Sequence, residues 1–214
     1  MTANKSTKKK YIEAAHQLML EDGVGTVSAR KVANRLGCAQ SSIYKHFQGL
    51  DELLLYASIR YLKEYYINVN RIASQSLNAL DMYRKTERCF AEYSFKYPVV
   101  FNNNLFGIYS DRAEHVMRDF FDMYQDEIPS IDVYTSSILT QGPFSDCNKK
   151  LLLGCIEEGS LNIPKYSIDV VNDTLVNLYK GFLKEMLDRT NAVDSAQQTE
   201  RYLLCFENIL QIYQ

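Results

Sequence analysis

Residues 26–56 read TVSARKVANRLGCAQSSIYKHFQGLDELLLY, and this stretch decides the fold. Ala29, Val32, Ala33 and Leu36 recur at helical spacing. Ser28 stands before them as an N-cap oxygen, and Gly37 follows as the residue best able to take the left-handed conformation that ends a helix. After a sharp turn comes a second short helical pattern in which Ile43 and Phe47, four residues apart, face inward. Gln40, Ser41, Ser42, Tyr44, Lys45 and His46 are left for solvent or a partner. That inventory suits a DNA groove, because Gln bonds adenine edges, Ser bonds bases or phosphates, and Tyr, Lys and His suit the phosphate backbone. The segment is therefore a helix-turn-helix, and these six residues, with Arg30 on the first helix, are the expected DNA-contacting set.

Charge is distributed to match. The 214-residue chain has a formal net charge of −2. Residues 1–50 nevertheless hold eight basic residues (Lys5, Lys8, Lys9, Lys10, Arg30, Lys31, Arg35 and Lys45) against Glu13, Glu21 and Asp22, a net +5 that leaves −7 on the remainder. A basic head on an acidic body points the head toward phosphate.

Over residues 8–56 the chain resembles the DNA-binding domain of TetR-family transcriptional regulators. The resemblance rests on Ile12, Ala15, Leu18 and Gly23 ahead of the motif, then Val32-Ala33-x-x-Leu36-Gly37, Ile43-Tyr44-x-His46-Phe47 and Asp51-Glu52-Leu53-Leu54. Two positions depart from the family pattern. Ala39 stands where members place a Ser or Thr cap on the recognition helix, a change worth ~1 kcal/mol at typical cap energies. Leu50 stands where many carry a phosphate-binding Lys, which implies one fewer phosphate contact per subunit.

The resemblance implies an all-α protein. A three-helix helix-turn-helix domain (1–50) precedes a helical effector-binding and dimerisation domain (51–214), with about nine helices expected. Apolar spacing predicts a long helix over 50–73 carrying Leu50, Leu53, Leu54, Ala57 and Tyr61, then helices near 78–97, 99–110, 112–126, 145–159, 167–190 and 195–213. Pro98 and Pro129 act as breaks, and 130–145 is expected to be loop or a short helix. Fourteen of sixteen Tyr and nine of ten Phe follow residue 50. Tyr combines an apolar body with a polar tip, which suits core packing, a partner interface or a pocket. Phe90, Tyr93, Tyr97, Phe106, Tyr109, Phe120, Tyr124 and Tyr179 fall on the helices that surround the effector cavity in this family, which implies an apolar or aromatic small-molecule effector. Near the C-terminus Ile168, Val171, Leu175, Leu178, Phe182 and Met186 recur every three or four residues, as do Tyr202, Phe206, Ile209 and Tyr213. Such stripes cover the monomer core or, as the resemblance implies, meet their copies in a four-helix bundle, with Val171, Leu175, Leu178, Phe182, Phe206 and Ile209 at the homodimer interface.

The function expected is transcription regulation by a repressor that leaves a palindromic double-stranded operator when its effector binds. A DNA-binding factor on the same fold with no effector is the alternative, and an all-α enzyme is the remaining class. Enzyme motifs are missing from the sequence: His16, His46 and His115 are dispersed, and Glu157 and Glu158 are adjacent, hence about 100° apart on a helix. No cofactor or metal site is expected. Cys38, Cys89, Cys147, Cys155 and Cys205 are widely spaced with no C-x-x-C pair, although Cys38 lies in the turn beside the recognition helix. With no apolar run near eighteen residues and no cleavable leader, a cytoplasmic protein without a membrane partner is expected.

Overall fold

The computed structural model describes residues 2–107, 113–124, 144–188 and 193–214, and every described element is helical. Ten α-helices are present among these residues: α1 (Thr2–Asp22), α2 (Ala29–Leu36), α3 (Leu50–Ile59), α4 (Lys63–Ala73), α5 (Ala79–Lys96), α6 (Pro98–Phe106), α7 (Ala113–Tyr124), α8 (Phe144–Glu157), α9 (Ile168–Leu187) and α10 (Ser195–Gln211). The region 130–145 and Tyr109 fall largely or wholly outside the described residues.

By packing, the chain divides into two units, 1–63 with 102–129, and 64–101 with 130–214. This grouping differs from the functional division expected at residue 50, because α3 packs on α1 and α7. The expected long helix over 50–73 is also interrupted, by a 3₁₀ turn at Arg60–Leu62. Neither Pro nor Gly occurs there. Instead the Ser58 hydroxyl donates to the Leu55 carbonyl at 2.7 Å, competing with the helical ladder one turn before the break.

In the first unit α1 supplies the central ridge. Ile12 and Ala15 are fully buried, and the same core takes in Val32 of α2, Ile43, and Leu53 and Ala57 of α3, all at 0% exposure. A polar clamp joins α1 and α3 to α7. Lys8 Nζ lies 2.6 Å from Asp119 Oδ2 and 3.9 Å from the centre of the Tyr56 ring, while the Tyr56 hydroxyl donates to the same carboxylate at 2.6 Å. Burial would raise the Asp119 pKa, but the Lys8 and Tyr56 bonds outweigh it and hold the carboxyl below its ordinary value. Glu13 accepts from both Arg60 and Tyr124, a second tie between the same helices. His16 is part of the packing: Nδ1 donates to the Ala57 carbonyl at 3.2 Å and the ring meets Tyr61 edge-on.

The second unit is organised around α5, which packs on α8 and α10 while α9 packs on both of those. Phe90 and Tyr179 lie with ring centres 4.8 Å apart, and Phe95, Phe144 and Tyr202 complete a continuous aromatic core. A buried polar chain runs through it: Tyr83 donates to Asn148, Asn148 to Asn172 and Asn172 to Ser145, at 2.7, 2.9 and 2.8 Å. Arg84 of α5 grips Glu207 of α10 through Nε and Nη2, the fork geometry that favours Arg over Lys. One acid stands inside this core. Glu87 is 5% exposed and accepts a short hydrogen bond from the Tyr202 hydroxyl.

Burial pushes the Glu87 carboxyl up to about 7 from 4.5, against the opposing pull of the Tyr202 bond. With the folded value raised, the associated stability is complete below pH 4.5 and is lost as pH rises through 7. The loss by pH 8 is roughly 3 kcal/mol. Glu87→Gln should remove it, making the variant more stable than the parent at pH 8 and bringing the two together below pH 5. Urea unfolding at the two pH values measures this, and parallel pH slopes for the two proteins would refute the assignment.

Candidate nucleic-acid interface

The helix-turn-helix begins with a cap. The Ser28 side chain accepts from the Lys31 backbone N–H at 3.3 Å, and α2 ends at Gly37 with φ 63°, the left-handed geometry expected of it. The Cys38 N–H then returns to the Ala33 carbonyl at 3.0 Å, which fixes the turn. Cys38 itself packs against α1, with Sγ 3.6 Å from the Tyr11 hydroxyl.

The recognition segment differs from the expected α-helix. Gln40–Lys45 is a 3₁₀ run, and Ala39 makes no side-chain cap. Two bonds have 3₁₀ spacing, Ser42 N–H to the Ala39 carbonyl at 2.9 Å and His46 N–H to the Ile43 carbonyl at 3.0 Å; Phe47 N–H shares that last carbonyl at 3.1 Å. A helix start without a side-chain acceptor leaves its first amides to be satisfied by tighter i→i+3 closure. The four-residue spacing of the inward pair is kept: Ile43 is 0% and Phe47 3% exposed.

On the other side Gln40, Ser41, Tyr44 and Lys45 are exposed, and Ser42 and His46 are half-buried. Tyr44 is notable at 52% exposure, since a large aromatic ring in water gains nothing there without a partner. His46 is tied inward, its ring 5.4 Å from that of Tyr11. The basic residues divide into two groups. Lys31 pairs with Asp22 at 2.7 Å and Arg35 with Glu21, while Lys8 belongs to the Asp119 clamp. Arg30, Lys45 and Lys10 are exposed and make no ion pair among the described residues. The internal pairing of Lys31 and Arg35 escaped the sequence reading because their partners lie nine and fourteen residues away, across a turn. At the start of α3, the Glu52 carboxylate accepts from the Gln48 N–H, closing the segment behind the recognition turn.

The expected effector residues fall in two places. Phe90, Tyr93, Tyr97 and Tyr179 belong to the second unit, where Tyr93 meets Tyr65 at 5.9 Å and takes a hydrogen bond from Asn68. Phe106, Phe120 and Tyr124 belong to the first, with Phe120 and Tyr124 stacked at 4.3 Å. Glu87 was missed, although its position four residues after Tyr83 places it on the apolar stripe of α5.

The expected interface residues divide by burial within the chain. Val171, Leu175 and Phe206 are 4%, 2% and 1% exposed and lie in the chain's own core. Leu178, Phe182 and Ile209 are half-buried. The outward apolar residues of α9 and α10 are instead Val170 and Leu204, each 65% exposed.

Among the described residues there is no group of three His, Cys, Asp or Glu side chains able to hold a metal ion, and no helix long and apolar enough to cross a membrane. A search of curated proteins finds no match to the chain. Residues 12–57 match the family model described as bacterial regulatory proteins, tetR family. Similar solved structures include FadR, a TetR-family transcriptional repressor of Thermus thermophilus in complex with lauroyl-CoA (TM-score 0.57, 18% identity, covering 92% of this chain and 91% of that one). PfmR, a TetR-family transcriptional regulator also from Thermus thermophilus, is similar at TM-score 0.52 and 14% identity, over 94% of this chain and 97% of that one. KstR2, a ketosteroid transcriptional regulator of Mycobacterium tuberculosis, gives TM-score 0.51 and 15% identity, over 97% and 94%. Residues 12–57 thus carry the signature of the tetR family's regulatory proteins, and the chain shares the fold of these solved regulators along almost its whole length.

Proposed function

We propose that the protein is a homodimeric repressor that occupies a palindromic operator in the cytoplasm and is released from it by a small apolar or aromatic effector. The observation that carries this reading is the recognition turn. Ile43 and Phe47 consume its inner side, and Gln40, Ser41, Tyr44 and Lys45 remain outside with no structural task. In this reading residues 1–50 contact DNA and 51–214 sense and dimerise. Two recognition segments can enter successive major grooves only when about 34–36 Å apart, so a second copy is required and the operator mirrors its two-fold symmetry. Ser42, His46 and Arg30 complete the DNA-contacting set.

The effector site is assigned to the aromatic residues of the body, with Phe90, Tyr93, Tyr97 and Tyr179 as its candidate walls. FadR, solved with lauroyl-CoA, and KstR2, named for ketosteroids, set a precedent for apolar effectors on this fold. An effector shifts an equilibrium only by its differential affinity for two states, so it must favour the DNA-incompetent one. A coupling of about 1–3 kcal/mol, roughly 5–150-fold, is typical, and it is reciprocal. Operator DNA should therefore weaken effector binding by the same factor, as read by titration with and without DNA. Equal affinities would leave a DNA-binding factor without an effector switch.

Gel-shift titration of Tyr44→Ala and Lys45→Ala should show weakening that is alike on all sequences, whereas Gln40→Ala should relax preference at one operator position by about 1–3 kcal/mol. If all three bind as the parent does, the recognition turn is not the reading element.

For assembly, Val170→Glu with Leu204→Glu should yield monomers in sedimentation and lose operator binding, because a charge is buried unpaired at the interface. A folded, dimeric double variant would place the interface elsewhere.

A further inference from the structure

A cavity of about 160 Å³ lies wholly within the first unit, apart from the aromatic core assigned to the effector. Asp51, Leu54, Leu55 and Ser58 form one wall, a single stripe of α3 at spacings of three and four. Asn103 and Gly107, at the end of α6, form the other, and Val24 closes one side. The volume is close to that of the engineered apolar cavity known to admit one benzene ring.

The chemistry of the walls is uneven. Leu54, Leu55 and Val24 make the body of the hollow apolar. Ser58 is already spent, donating to the Leu55 carbonyl and accepting from Asn104 Nδ2 at 2.9 Å. Asp51 and Asn103 are both exposed and make no side-chain hydrogen bond or ion pair among the described residues. Asp51 lies in the first turn of α3, where Glu52 is the carboxylate that takes the Gln48 N–H and Asp51 meets only the positive end of the helix dipole. Position 107 brings no side chain to the hollow, and a Cβ there would come within 2.3 Å of the Asn103 carbonyl oxygen, to which the Gly107 N–H is bonded at 3.2 Å. The last carbonyls of α6 add the negative end of a helix dipole to the same side. An apolar hollow rimmed by a free carboxylate, a free amide and a helix C-terminus is complementary to a cation with a small apolar body.

We infer that this cavity binds a small primary ammonium ion bearing one apolar group no larger than a benzene ring, with its N–H groups donating to Asp51 and to the Asn103 side-chain oxygen. A ligand held there bridges α3 to α6 a few residues behind the recognition turn. It is a second small-molecule site, in addition to the effector site of the body.

Calorimetric titration of the full chain with benzylammonium chloride, against benzyl alcohol at matched ionic strength, tests this. Benzylammonium should bind saturably, one per chain, with Kd of about 1 mM for so small a ligand, and benzyl alcohol about tenfold more weakly. Asp51→Asn should erase the difference between the two, and Leu54→Phe, which fills the hollow, should abolish both. Backbone amide shifts confined to Ser58 and Gly107 locate the site, and they report on the parent chain even where a variant fails to fold. The inference is overturned by no saturable binding, by equal affinity for cation and alcohol, by a preference that survives in folded Asp51→Asn, or by shifts located in the aromatic body alone.

Discussion

Everything at the DNA-facing end depends on how little of the recognition segment is needed to hold it. Two side chains, Ile43 and Phe47, are driven into the core formed by α1, α2 and α3, and the sharp turn at Gly37 and Cys38 sets the angle at which they enter. Truncating a buried Ile or Phe to Ala costs typically about 2–5 kcal/mol, a sizeable part of a domain's stability. Because this anchoring is hydrophobic and local, Gln40, Ser41, Tyr44 and Lys45 are left exposed. The head can hold its fold while its outer residues change, which is the property a family of sequence readers needs.

The second unit solves a different problem. Its core is built from large aromatic rings whose polar tips must be satisfied, and it does so by linking Tyr83, Asn148, Asn172 and Ser145 in sequence and by placing Glu87 against Tyr202. Such networks specify one arrangement of helices more sharply than an all-aliphatic core does, at a cost in desolvation. The raised Glu87 carboxyl is the visible sign of that cost.

The legible parts were those fixed by local chemistry. Ser28 and Gly37 bounded α2 correctly because a cap oxygen and a left-handed glycine act within one turn. Expected helices near 78–97, 145–159 and 195–213 appear as α5, α8 and α10 with ends shifted by a residue or two. What escaped depends on contacts distant in sequence. The break at residues 60–62, one turn after a serine back-bond, is reported by no periodicity. The choice of face on α9 and α10 depends on which stripe the chain buries for itself: Val171 and Val170 are neighbours in sequence and opposite in fate. The clamp of Lys8 to Asp119 spans more than a hundred residues, and nothing near either residue announces it.

The ion pairs Lys31–Asp22 and Arg35–Glu21 bear on the thermodynamics of any DNA complex. Each neutralises a cation before DNA arrives, so the head's net +5, which already subtracts Asp22 and Glu21, rests on Lys5, Lys8, Lys9, Lys10, Arg30 and Lys45 less Glu13. If each of two copies brings only Arg30 and Lys45 to phosphates, about four condensed counterions are displaced, and affinity falls by only about a hundredfold for a fourfold rise in salt. Binding of that kind holds little grip on DNA of arbitrary sequence. In the proposed homodimeric repressor, a head with Lys8, Lys31 and Arg35 held internally gives up part of the electrostatic attraction common to all duplexes and leans on base edges and two-fold geometry, so its discrimination between operator and bulk genome rises as its general affinity falls.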